Sequence, residues 1–206
     1  MAGAIRRGDV VLVDELGQGL VSASIALGEL LRYGRGSPYT QWTHSAIVCD
    51  VPFQDPSTIS IVEARAATGV RRALLSKYEK HYAIVHTDVD DCDWPEVERF
   101  LKSVRDARES YDFVAYAGLT LYALTGSRIC IQRAGTATCA GLVADALTRA
   151  GFIWSRPPYA MTPADIAADL EDGKHTITSK VVDEGQTTLC GRMRQLASTM
   201  LPQPRR

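Results

Sequence analysis

Residues 138–152, TCAGLVADALTRAGF, place a cysteine in the first turn of a segment with helical spacing. Counting from Cys139, apolar residues recur at Leu142, Val143, Ala146, Leu147 and Ala150, one stripe of a 3.6-residue period, and Gly151 supplies a stop. This reads as a short amphipathic helix. The positive end of a helix favours the thiolate over the thiol, and a thiolate is what a nucleophilic cysteine hydrolase needs. The same pattern also describes a cysteine packed in a core, which is the commoner role for this residue. A partner base elsewhere in the chain is what separates the two.

The chain has four histidines. His44, in WTHSAIV, stands at the entrance to an apolar strand, and strand alternation puts it on one face with Ala46 and Val48. Glu63, in IVEA, closes the next strand. If the two strands pair antiparallel, Glu63 meets His44 and fixes its ring. Taken singly, His44 fits a hydrogen-bonded strand end and Glu63 a solvated side chain better than catalytic roles. His81 and His86 flank a later strand with no companion carboxylate motif, and His175 ranks as the second candidate base. Tyr111 and Asp112 either line a cleft or cap the apolar segment that follows.

The elements that must position these groups follow from periodicity. Val10–Val13 reads as a buried strand, 42–49 and 59–64 as two more, Val70 as the start of another, and 82–87 as a fifth. Residues 51–57, with two prolines, connect the second strand to the third. Helical spacing appears at 20–33. Asp93 opens a helix in a capping-box-like arrangement with Glu96, with buried positions at Val97, Phe100, Leu101 and Val104. The apolar run 113–124 reads as a helix, Thr162-Pro163 with Asp165 opens a last one, and 176–182 alternates as a strand. Strands cluster early and helices late, which argues an α+β fold with a mainly antiparallel sheet packed against helices.

Composition narrows the field. With 206 residues the chain suits one well-filled core, with 46% hydrophobic and 23% charged residues as in ordinary soluble globular proteins. A net charge of −1 and no basic run argue against nucleic acid. Five scattered cysteines, with no CxxC or HExxH spacing, argue against a metal site or a disulfide framework. No signal-peptide pattern and no window of transmembrane length occur, so cytoplasmic residence is the default expectation, with export by a specialised route left open.

Four motifs together carry a resemblance. GDVVLV, THSAIV, IVEA and TCAGLV resemble the motifs of the NlpC/P60 superfamily of papain-like thiol hydrolases. The cysteine motif comes last, as in the circularly permuted, YiiX/YaeF-like branch, to which the lecithin–retinol acyltransferase group is more distantly similar. Tyr111-Asp112 and Thr162-Pro163 also fit that branch. The resemblance implies a permuted papain-like fold over residues 1–183, with 184–206 as a C-terminal tail. It implies Cys139 as nucleophile, His44 as general base and Glu63 as orienting group, with Tyr111, Asp112 and Thr138 as substrate-binding positions. Thr138 replaces the aspartate or aromatic residue that precedes the cysteine in relatives, and Ala140 replaces a serine.

The activity implied is cleavage of an amide bond, in a peptide of the peptidoglycan type, through an acyl-enzyme and without a metal or organic cofactor. The permuted branch also implies an alternative, a lipid acyl hydrolase or acyltransferase, with 113–124 lining an acyl groove. A binding module with a vestigial cysteine, its arginine-rich end contacting a partner, is the non-enzymatic alternative. The catalytic readings require sulfur, imidazole and carboxylate to meet at one rim of the sheet, with the sulfur open to solvent.

Overall fold

The computed structural model describes residues 4–14, 29, 33–34, 37–78, 81–112 and 135–172. Five strands, β1 (Val10–Val13), β2 (His44–Asp50), β3 (Ser60–Arg65), β4 (Gly69–Leu74) and β5 (Tyr82–Val85), form one sheet in the order β4-β3-β2-β1-β5. Every neighbouring pair in it is antiparallel. Among the described residues after them lie the helices α1 (Trp94–Asp106), α2 (Cys139–Thr148) and α3 (Pro163–Glu171). A two-stranded parallel pair, β6 (Ser110–Tyr111) with β7 (Thr136–Ala137), leads into α2. The architecture is α+β with an antiparallel main sheet. Among the described residues, no helix is long and apolar enough to cross a membrane.

The central strands are apolar on both faces because both faces are covered. Val10, Leu12, Ile47, Val62 and Ala64 pack with α1, α2 and α3. Val11, Val13, Ala46, Val48 and Ile61 pack with Ile59, Leu75 and Tyr78. Leu75 and Tyr78 belong to a 3-10 turn, Leu75–Tyr78, whose first two N–H groups donate to Ile59 and Pro56 carbonyls. That turn runs from Ile59, where Leu75 is bonded, to Glu63, which Lys77 and Tyr78 reach.

Several local expectations are corrected. The segment before β2 is a turn, because Trp42 N–H donates to the Tyr39 carbonyl and regular pairing starts at His44. The fifth strand ends at Val85, not 87. Asp93 does precede α1, but its side chain makes no cap bond. Its backbone is already helical (φ −90°, ψ −22°) and closes a turn on the Asp90 carbonyl, so the carboxylate does not face the first free amides. Thr162 does form the capping box with Asp165. Helix α2 is not amphipathic in place: Ala140, Gly141 and Ala144 are buried along with the expected stripe. It runs through the core between the sheet, α1, α3 and the 158–160 turn. The segments 20–28, 113–124 and 176–182, and the tail 184–206, lie outside the described residues.

Candidate active site

Strand pairing sets the first half of the site. His44 is the first residue of β2 and pairs with Val13 at the end of β1, while Ile47 pairs with Val62 on β3. That register brings Glu63 alongside His44, whose Nε2–H donates to Glu63 Oε2 at 3.0 Å. Both groups are buried, Glu63 completely. A carboxylate without solvent stays ionised only if donors surround it. Arg71, its direct cross-strand partner on β4, donates from Nε to Oε1 at 2.9 Å. Lys77 donates to the same oxygen, Tyr78 Oη donates to Oε2, and Arg65 Nε lies 4.0 Å from it. Burial pushes the Glu63 carboxyl up, but the His44, Lys77 and Tyr78 bonds and the His44 charge hold it well below the usual carboxylate range.

The second half is the N-terminus of α2. Tyr111 pairs with Ala137, and Asp112 N–H donates to the Ala137 carbonyl at 3.1 Å, which aligns the chain entering the helix. Thr136 Oγ1 donates to Asp112 Oδ2 at 2.7 Å. Thr138 then adopts the extended backbone of an N-cap, and its hydroxyl accepts the Gly141 N–H at 3.0 Å. Gly141 is glycine for a local reason, since a Cβ there would stand 2.7 Å from Thr138 Oγ1. Thr138→Ala should lower stability by about 1 kcal/mol through loss of this cap, read as a reduced urea midpoint with unchanged slope.

Cys139, one residue after the cap, is hydrogen-bonded to His44. The ring therefore joins Cys139 to Glu63. Burial would lower the His44 pKa, but the hydrogen bonds and charges of Cys139 and Glu63 outweigh it and raise the pKa to about 9. At neutral pH His44 therefore carries a proton on each ring nitrogen, with Nε2 turned to Glu63. An NMR titration should show His44 protonated through pH 7 and titrating near 9. Removing one raising partner, in Cys139→Ala, should lower that value. Titration at or below 6.5 in the native protein would contradict the coupling.

The three groups therefore come together, but the requirement that the sulfur be open to solvent is not met. Cys139 is 1% exposed, not open to solvent, because the helix that carries it is enclosed nearly all round. The weaker positions are placed as follows. Thr138 caps α2, Tyr111 is buried in the core, and Asp112 is buried against Thr136. His86 also departs from expectation: its Nδ1 lies 2.8 Å from Oδ2 of buried Asp9. That pair sits past Val10 and Val85, at the far end of β1 from His44, so it does not serve Cys139. His175 lies outside the described residues.

The sequence reading missed Arg71, Lys77 and Tyr78, the donors that keep Glu63 charged. Arg71 was legible in principle, as an opposite charge paired with Glu63 once β3 and β4 are in register. It also missed Glu29, a buried carboxyl at the start of α3, described below. Exposed Asp90 and Cys92 and half-buried Asp93 bring ligand atoms within 4.8 Å of one another, and such acidic groups commonly do so without a metal.

No protein-family model and no curated protein matches this sequence.

Proposed function

We propose that the chain is a cysteine hydrolase that cleaves an amide bond through an acyl-enzyme on Cys139. The observation that carries this reading is the hydrogen-bonded line Cys139–His44–Glu63, with the sulfur at a helix N-terminus and an ionised carboxylate behind the ring. In this reading Cys139 reacts as the thiolate beside a His44 that carries a proton at neutral pH. The thiolate attacks a carbonyl carbon, and the N–H of Cys139 donates to the oxyanion that forms. His44 then gives its proton to the departing amine as the C–N bond breaks. Water, deprotonated by His44, attacks the thioester, and the C–S bond breaks to release the acid and restore the thiolate beside protonated His44. Glu63 stays ionised throughout and keeps the ring in place.

Substrate class rests on the motif resemblance to permuted NlpC/P60 enzymes. A peptidoglycan-type peptide is the leading substrate and an acylated lipid the second. Both need the buried sulfur to become reachable, so a conformational opening precedes acylation. The 1% exposure of Cys139 is also what favours the competing reading, a binding module whose thiol never reacts. Native protein and Cys139→Ala, assayed side by side against muropeptides and acylated lipids, separate these cases. Product from the native protein alone supports the hydrolase and names the bond. Equal product from both removes Cys139 from the mechanism.

A further inference from the structure

A second buried carboxyl stands at the first turn of α3, a helix packed on α2, and its protonation is opposite to that of Glu63. Glu29 is 1% exposed, and its Oε1 accepts the Ala164 N–H at 3.0 Å, in the first turn of α3. Its Oε2 is buried and makes no hydrogen bond among the described residues. Met161, Ala164 and Ile166, around that turn, are buried, and Met161 and Ile166 share one core cluster with Cys139 and Ala140. We propose that Glu29 is a substrate-contacting residue of the Cys139 site, its Oε2–H donating a hydrogen bond to the carbonyl oxygen of the bound substrate. This rests on the hydrolase reading above and adds a second donor to the Cys139 N–H.

Three considerations support it. Burial pushes the Glu29 carboxyl up to about 9, against the lowering influence of the Ala164 N–H and the Thr162 hydroxyl. The charges of Asp165 and Cys139 add to the rise, so Glu29 lies within electrostatic reach of the sulfur. At neutral pH it is therefore a neutral acid, with a proton to share and no charge to oppose the thiolate. Around it, Asp165 is already engaged by the Tyr33 hydroxyl and by Thr162 N–H, with Arg156 Nη1 3.8 Å away. That leaves Glu29 as the protonated member of the cluster. Second, a buried donor without a partner is unfavourable, a penalty that a substrate oxygen removes. Third, two carboxyls driven to opposite protonation states around one reacting group is how sites divide acid and base roles. Glu63 is the anion and Glu29 the neutral acid. The hydrogen bond transfers no proton, and the acid stays protonated through the cycle.

The test uses p-nitrophenyl acetate as acyl donor, with nitrophenolate release that depends on Cys139 as the readout and Cys139→Ala as background. Glu29→Met removes the donor and should slow acylation roughly 10²-fold. Glu29→Gln keeps an N–H donor and the acceptor for Ala164, and should recover most of the rate. Infrared difference spectra of native protein against Glu29→Gln at pH 7 should show a protonated carboxyl band, which is independent of any substrate. Native-like rates in Glu29→Met, equal losses in both folded variants, or no carboxyl band would overturn the proposal. Should Glu29→Met not fold, a folded Glu29→Gln as slow as Cys139→Ala overturns it too. Release that is the same in Cys139→Ala instead sinks the hydrolase reading, while the infrared band still reports whether Glu29 is neutral.

Discussion

Cys139→Ala should abolish acyl transfer, with a loss on the order of 10⁴-fold or more, because members of a nucleophile–base–carboxylate line act as a unit. The effect on folding should be small. Cys139 lies in the core, but alanine removes a single sulfur atom from a helix held by its neighbours on every side. Circular dichroism and the thermal midpoint should therefore stay near native while turnover falls to background. Loss of activity together with loss of fold would not fit this account. Neither would a fully active variant.

The second large effect falls on Glu63, which orients His44 in the proposed mechanism and gathers the surrounding donors. His44, Tyr78, Lys77 and Arg71 all donate to its two oxygens. Replacing it with leucine leaves buried donors and a charged ring without an acceptor, a class of change that costs about 3–5 kcal/mol. Glutamine keeps the size but loses the charge, and turnover should fall on the order of 10⁴-fold, as when a triad carboxylate becomes an amide. The pH dependence has a definite sign. The Glu63 pKa is lowered by folding, so its contribution is present above the unfolded value of about 4.5 and is lost as pH falls towards the folded value. His44 runs the other way. Its contribution is full below 6.5 and disappears as pH rises through about 9. Urea midpoints across pH should thus show the acid limb flattened in Glu63→Gln. An unchanged acid limb would mean that Glu63 is not the ionised hub.

Much of this arrangement was readable before any coordinates, and the reason is local. Val10–Val13, Ile47–Val48 and Ile61–Val62 are apolar runs too short for helices, so strands were the remaining solution. Antiparallel pairing across the proline-containing connection then dictated that Glu63 approach His44. Helix α3 was marked by Thr162 and Asp165, whose capping box is a short-range signal. What escaped notice depends on distant partners. The turn holding Lys77 and Tyr78 is only four residues long and is anchored by Leu75 against the sheet, a contact no local pattern encodes. Glu29 sits among leucines in the sequence, where a charge ordinarily marks the solvated face, and only the approach of Ala164 reveals that it is inside. The depth of Cys139 was missed for a similar reason. Ala140, Gly141 and Ala144 are small enough to be exposed or buried with equal ease, and long-range packing decided for burial.

That depth makes alkylation the most direct test, since a nucleophile must be both ionised and reachable. The account predicts that iodoacetamide modifies Cys139 at neutral pH, at a rate little changed by raising the pH. Exposed Cys92 serves as the reference thiol in the same protein, and His44→Ala should make the labelling of Cys139 rise with pH. A Cys139 that stays unmodified while Cys92 labels, or that tracks the Cys92 curve with His44 intact, would contradict it.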